Sequence, residues 1–231
     1  MLHDEILSFD EIIEVVKEAV DQGIDKIRIT GGEPLVRKGI VDLVSMIAQD
    51  KGIKDFGMTT NGIYLDKFAD DLAKSGLQRV NISLDTINHE KYKSITRVGD
   101  LNMVFSGIEA AKKAGLSPIK INCVIKESSK EKDAQEVAEF CEQNDLKVRF
   151  IREMDLEKGQ FWKVKGGDGG SCAICNRLRL TSNGKIKPCL FSDLEFDVRE
   201  LGVKDALGFA LGNKPESGTQ SIINKFSNVG G

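Results

Sequence analysis

No apolar run in this chain approaches the length of a membrane-spanning helix, and the opening Met1-Leu-His-Asp-Glu-Ile6 has neither the cationic nor the apolar region of a secretory signal. These absences lead to the expectation of a cytoplasmic protein, in a compartment where free thiols persist. An excess of positive charge is lacking too. A net charge of -3 and a pI near 5.6 give no general attraction for nucleic acid or a membrane surface, although a local basic pocket is compatible with them. Cysteine is scarce and odd in number, at 5, which argues against a disulfide framework. The 231 residues suffice for one α/β domain, alone or with a small appendage, and for a substantial core.

Three of the five cysteines form the chain's most distinctive pattern. Cys172 and Cys175 make a C-x2-C pair, and Cys189 follows after thirteen intervening residues. Ser182-Asn183-Gly184, set between Leu178-Arg179-Leu180 and Lys185-Ile186-Lys187, is a hairpin signal that returns Cys189 toward the pair. Three thiolates on one metal centre leave a coordination position open, whereas a structural zinc site is normally closed by four protein ligands. On spacing alone, zinc with a distant fourth ligand such as His3, His89 or Asp168 is an alternative. Arg177 and Arg179 alternate with Leu178 and Leu180, which puts both guanidinium groups on one face, suited to an anion. Cys123 and Cys141 sit in apolar surroundings and read as core residues.

Before this region the chain alternates between helical and strand periodicity. Ser8-Phe-Asp-Glu11 is a capping box that opens a helix through Val20, closed by Gly23. Strands are expected at Ile27 to Thr30, Phe56 to Thr59, Val80 to Leu84, Ile119 to Ile125 and Val148 to Ile151. Helices are expected around Val41 to Gln49, Lys67 to Lys74, Met103 to Lys113 and Asp133 to Gln143, with a further one at Lys204 to Leu211. Such βα repetition calls for a parallel sheet with helices outside, as a barrel or an open sheet. The rhythm stops after Met154, so residues 1–155 are read as the βα part and 156–231 as a carboxyl-terminal metal and ligand region.

In a βα barrel the outward residues pack under helices and are apolar, so polar residues alternating with them face the lumen. That rule turns Arg28, Thr30, Thr59, Asn81, Ser83, Asp85, Lys120 and Asn122 inward. A lumen so polar and basic needs partners for its charges. They are either structural carboxylates such as Glu33, Asp85 or Glu153, or an anionic ligand gripped together with Arg177 and Arg179, of which a polyphosphate is one. Gly31-Gly32-Glu33-Pro34 at a strand end allows close backbone approach to a ligand and offers a carboxylate to an ammonium group; it is also a plain tight turn.

Taken together, Arg28-Ile-Thr-Gly-Gly-Glu-Pro34, Thr59-Thr-Asn-Gly62, Asn81-Ile-Ser-Leu-Asp85, Lys120-Ile-Asn122, Arg149-Phe-Ile-Arg-Glu-Met-Asp155, the cysteine hairpin and the terminal Gly230-Gly231 resemble the MoaA family. These are radical S-adenosylmethionine GTP cyclases of molybdenum cofactor synthesis. The resemblance spans essentially the whole chain. It implies an incomplete (βα)6 TIM-like barrel followed by the cluster-binding hairpin, and a lyase that joins the ribose 3′ carbon of GTP to C8 of guanine.

By position, Gly31, Gly32, Glu33, Ser83 and Met154 would serve S-adenosylmethionine. Arg28, Thr59, Lys120, Arg177 and Arg179 would hold GTP, with Arg28 and Lys120 at the reacting end. Cys172, Cys175 and Cys189 would hold a [4Fe-4S] cluster whose open iron takes the guanine base, and the Gly-Gly tail would enter the site. The product would pass to a cyclic pyranopterin monophosphate synthase, and a homodimer is compatible with the family.

Two departures stand out. The family's first strand and its C-x3-C-x2-C loop, which carry the amino-terminal [4Fe-4S] cluster, have no counterpart, and only 17 residues separate Met154 from Cys172. The first departure suggests a truncated record, and without the low-potential cluster these residues alone are not expected to turn over. A non-enzymatic nucleotide-binding remnant and a radical peptide maturase with an auxiliary cluster are the competing readings.

Overall fold

A computed structural model describes residues 5–97 and 99–225. Helix α1 (Phe9–Asp21) opens the described chain with the expected box. Ser8 Oγ accepts from the Glu11 N–H at 3.2 Å, and the Ser8 N–H donates to Glu11 Oε2 at 2.7 Å. The helix ends at Gly23, whose φ of 89° suits only a residue without a Cβ.

Five strands joined by four helical crossovers follow. Strands β1 (Lys26–Ile29), β2 (Asp55–Thr60), β3 (Arg79–Ser83), β4 (Lys120–Ile125) and β5 (Lys147–Arg152) form one parallel sheet in chain order. Helices α2 (Ile40–Ala48), α3 (Leu65–Lys74), α4 (His89–Thr96), α5 (Leu101–Lys113) and α6 (Lys132–Gln143) connect them. The strand residues Phe56, Met58, Val80, Ile82, Ile121 and Cys123 are buried in the main core with Val44, Ile47, Leu72, Val104, Ile108 and Val137 from the helices. This is a partial TIM-like barrel, and the alternation rule located its strands within a residue or two. Helix α4 was not anticipated, because its polar sequence lacks an apolar stripe and only its Asn88 cap, accepting from the Lys91 N–H, announces it.

After β5 the chain doubles back. The N–H of Phe150 donates to the Lys165 carbonyl at 2.9 Å and the N–H of Lys165 to the Phe150 carbonyl at 3.1 Å, so residues near 165 cover the outer edge of β5. A second, antiparallel sheet then forms from β6 (Arg179–Leu180), β7 (Lys185–Lys187) and β8 (Phe196–Asp197). The expected hairpin is β6–β7, with Gly184 in the left-handed region at its turn. Strand β8, only two residues long, has no alternation to reveal it.

Helices α7 (Val198–Leu201) and α8 (Val203–Gly212) complete this part. A second core joins Leu7, Val15 and Ala19 to Ile186, Val198, Ala206, Leu207 and Ala210. Val16, one residue along α1, belongs to the main core instead. The Leu7 N–H donates to the Ser182 carbonyl at 2.7 Å, and Arg199 binds Glu11 with Nε to Oε1 at 2.7 Å. Helix α1 therefore packs on the barrel with one side and on the cysteine hairpin with the other.

Candidate functional site

The parallel register fixes which residues share a level in the lumen. Arg28 on β1 pairs with Gly57 on β2, and Gly57 with Arg79 on β3. Toward the carboxyl ends come Thr59, Asn81 and Lys120 in one row, then Ser83, Asn122 and Arg149 in the next. Of the residues predicted to face inward, Arg28, Thr59, Asn81, Ser83, Lys120 and Asn122 thus lie on the face opposite the helices. Arg79 and Arg149 join them. The same alternation, read one residue earlier on β3 and between Val148 and Phe150 on β5, would have found both.

The charges of this lumen are nearly all positive. Arg79 is buried and binds Asp55, with Nε to Oδ1 at 2.5 Å and Nη2 to Oδ2 at 3.0 Å. Among the described residues no carboxylate lies within ion-pair distance of Arg28, Lys120, Arg149, Arg177 or Arg179. The structural-carboxylate alternative therefore fails for these cations. Glu33 is occupied elsewhere, accepting from Thr60 Oγ1 and the Asn61 N–H at 2.7 Å each and from the Leu35 N–H. Asp85 accepts from the Val124 N–H at 2.7 Å.

The crowding of like charge shows in their acidities. Burial, and then Arg79, Arg177 and Arg149, pull the Arg28 pKa down to about 10, although the residue as a whole stays open to solvent along β1. Lys120 is lowered by burial and by Arg149 and Arg79, and Arg149 by burial, Arg79 and Arg177. Arg179 is lowered by burial and by Arg177. Several polar atoms facing this space have no hydrogen-bond partner: Asn81 Oδ1, Asn122 Oδ1, Arg149 Nε and Arg79 Nη1. Unpartnered buried polar groups beside unpaired cations are what a polar anionic ligand would satisfy.

At the carboxyl ends of β1 and β2 the two motif turns are tied together by Glu33 through the bonds just described. Gly31 has φ 144°, and a Cβ at Gly31 or Gly32 would meet no atom within 4 Å, so open space adjoins this turn. Ser83 is exposed and Met154 half-buried beside Leu156 and Phe191. A cavity lined in part by Lys126, Arg152, Met154 and Trp162 opens there, with Arg152 stacked 4.0 Å from the Trp162 ring.

The cysteine region is less closed. Cys172 begins a single 3-10 turn, and the Cys175 N–H donates to its carbonyl at 3.0 Å. Arg179 lies close enough to Cys175 and Cys189 to feel both, and Cys189 packs with Leu156, Leu190 and Phe191. Among the described residues no three His, Cys, Asp or Glu side chains are gathered as a metal site. The donor types suit an iron-sulfur cluster, but three thiols do not attract one another; it is the metal that draws such ligands in. Among the described residues neither His89, Asp168 nor another His or acid joins the thiols in a metal site, while His3, like the Gly230-Gly231 tail, lies outside the described residues. Cys123 and Cys141 are buried, and burial pushes their thiols up to about 12 and about 11, so they stay protonated core residues. No C-x3-C-x2-C loop exists in the sequence, so these residues do not fit the amino-terminal cluster.

Residues 2–141 match the model of the Radical SAM superfamily. The GTP 3',8-cyclase of Thermodesulfovibrio yellowstonii is 39% identical over 86% of this chain and 76% of its own length. This chain belongs to the GTP 3',8-cyclase family of radical SAM proteins. The GTP 3',8-cyclase of Alkaliphilus oremlandii agrees, at 37% identity over 93% of this chain and 82% of that relative. That alignment runs over 262 positions, more than the chain's 231 residues, so the cyclase relatives carry segments that this chain lacks. Among solved structures, anSMEcpe with bound AdoMet aligns with TM-score 0.65 and 17% identity over 90% of this chain and 72% of that one. Streptococcus suis SuiB bound to precursor peptide SuiA gives TM-score 0.56 and 21% identity over 72% of this chain and 36% of that one. At such identities the likeness supports the fold shared by the cyclase and these proteins. A [4Fe-4S] cluster and S-adenosylmethionine are the cofactors of the superfamily, and no described helix of this chain is long and apolar enough to cross a membrane.

Proposed function

We propose that this chain binds GTP in the cationic lumen for 3',8-cyclisation, with Arg28, Lys120, Arg177 and Arg179 on the phosphates and Thr59 beside them. The observation that carries this reading is a set of lumen cations left without carboxylate partners. Arg149 joins the set on the same ground. A peptide substrate would leave most of these charges uncompensated, which weighs against the maturase reading.

Cys172, Cys175 and Cys189 would hold a [4Fe-4S] cluster, which when bound offers an open iron to the guanine base. Gly31, Gly32, Ser83 and Met154 would receive S-adenosylmethionine, with the Glu33 carboxylate holding the glycine turn against the Thr60-Asn61 turn. Residues 1–155 would act as the barrel and 156–231 as the cluster region. The product would pass to a cyclic pyranopterin monophosphate synthase.

Reductive cleavage of S-adenosylmethionine needs a low-potential cluster beside it. With no C-x3-C-x2-C loop, these residues by themselves would bind GTP without forming 5'-deoxyadenosine. Anaerobic calorimetry with GTP, followed by assay of 5'-deoxyadenosine under a strong reductant, tests both parts. Absence of GTP binding to iron-loaded protein would overturn the first, and deoxyadenosine formation the second.

A further inference from the structure

Among the described residues paired within the five strands, Asp55 is the one acidic side chain on the lumen face; Asp85 lies beyond the end of β3, where it accepts from the Val124 N–H. That face comprises Lys26 and Arg28 on β1, Asp55, Gly57 and Thr59 on β2, Arg79, Asn81 and Ser83 on β3, Lys120, Asn122 and Val124 on β4, and Lys147, Arg149 and Ile151 on β5. A free carboxylate here would compete with any anionic ligand for the surrounding cations. Its nearest claimants by register are Lys26, directly paired with it, and Arg28, two residues further along β1.

Arg79 removes that competitor. Its guanidinium reaches Asp55 from the adjacent strand by lying over Gly57. A Cβ at Gly57 would stand 2.9 Å from Nη1, 3.0 Å from Cζ and 3.3 Å from Cγ of Arg79. The missing side chain is therefore the groove in which Arg79 runs. Nε and Nη2 engage the two carboxylate oxygens, and Arg79 is buried at 9% exposure. A planar guanidinium gripping both oxygens leaves a carboxylate little capacity for other cations.

We propose that Arg79 is a positioning residue that neutralises Asp55, and so keeps Arg28 and the neighbouring lumen cations free for the phosphates of the substrate. It acts through Asp55, whose two carboxylate oxygens its Nε and Nη2 engage. The inference rests on the GTP reading above, and it makes an asymmetric prediction that a purely structural ion pair does not. Replacing Arg79 with Gln unmasks Asp55 as an internal anion; replacing Asp55 with Asn creates none.

The test is anaerobic calorimetry with GTP, GDP and GMP on the full chain and its variants, with thermal melting in parallel. Arg79→Gln is expected to weaken GTP binding by about tenfold or more, most for GTP and least for GMP. Asp55→Asn is expected to bind GTP at least as tightly as the unmodified chain, and the double variant Arg79→Gln/Asp55→Asn to recover binding lost in Arg79→Gln. If Arg79→Gln does not fold, Asp55→Asn alone decides. Weakened GTP binding by folded Asp55→Asn, or no recovery in the folded double variant, overturns the proposal. Failure of the unmodified chain to bind GTP would instead sink the functional reading beneath it.

Discussion

A lysine or arginine inside a protein ordinarily answers to a carboxylate nearby; among the described residues Arg79 does, through Asp55, and Arg28, Lys120, Arg149, Arg177 and Arg179 do not. Each should therefore matter to ligand binding more than to folding. Lys120→Ala and Arg177→Ala are expected to lower GTP affinity about tenfold or more while iron content stays unchanged, because a charge-assisted contact is worth about 1.5–3 kcal/mol. Unchanged affinity by calorimetry would remove them from the site. Cys189→Ala should do the reverse and strip iron and sulfide; a full complement in that variant would refute the ligand.

Asp55 has a different signature. Arg79 holds its carboxyl below the ordinary carboxylate value, so the pair stabilises the fold fully above that value, and the contribution is lost as pH falls through the folded one. Denaturant titrations between pH 5 and about 2 should show Asp55→Asn with a flatter loss of stability than the unmodified chain. Parallel curves would exclude a pH-linked role for the pair.

At the scale of elements, alternation of polar and apolar residues carried most of the information. It located five strands and turned Arg28 and Lys120 inward, because helices outside a parallel sheet demand apolar partners on that face. It was silent where that demand lapses. Helix α4 buries only Tyr92, and β8 has two residues, too few to show a period. Arg79 was missed because it opens its strand, ahead of the apolar run that flagged the rest. The cysteine spacing conveyed the donor types, but their convergence depends on a group the chain must bind.

Close packing between elements was equally hidden. A Cβ on Gly107 in α5 would stand 2.4 Å from the Gly62 carbonyl oxygen and 3.1 Å from Leu65 Cβ, so α5 rests directly on the turn that follows β2. Gly107→Ala should therefore cost about 1–3 kcal/mol despite the better helix propensity of alanine. A more stable variant by thermal melting would contradict this contact.

For the whole molecule, the two hydrophobic cores share α1. Leu7, at 1% exposure, lies in the second core, and its backbone also accepts from Arg37 Nη2 at 2.7 Å, beside the start of α2. Leu7→Ala should cost about 2–5 kcal/mol and loosen the cysteine hairpin along with the amino terminus. Hydrogen exchange confined to residues before α1, with residues 180–187 still protected, would show that the contact does not bind the two regions.

Because that first helix is wedged between both bodies, a nick near residue 155 should not release two self-sufficient pieces. Cleaved protein should stay together as a non-covalent pair, and halves expressed from separate genes should become soluble only when made in the same cell.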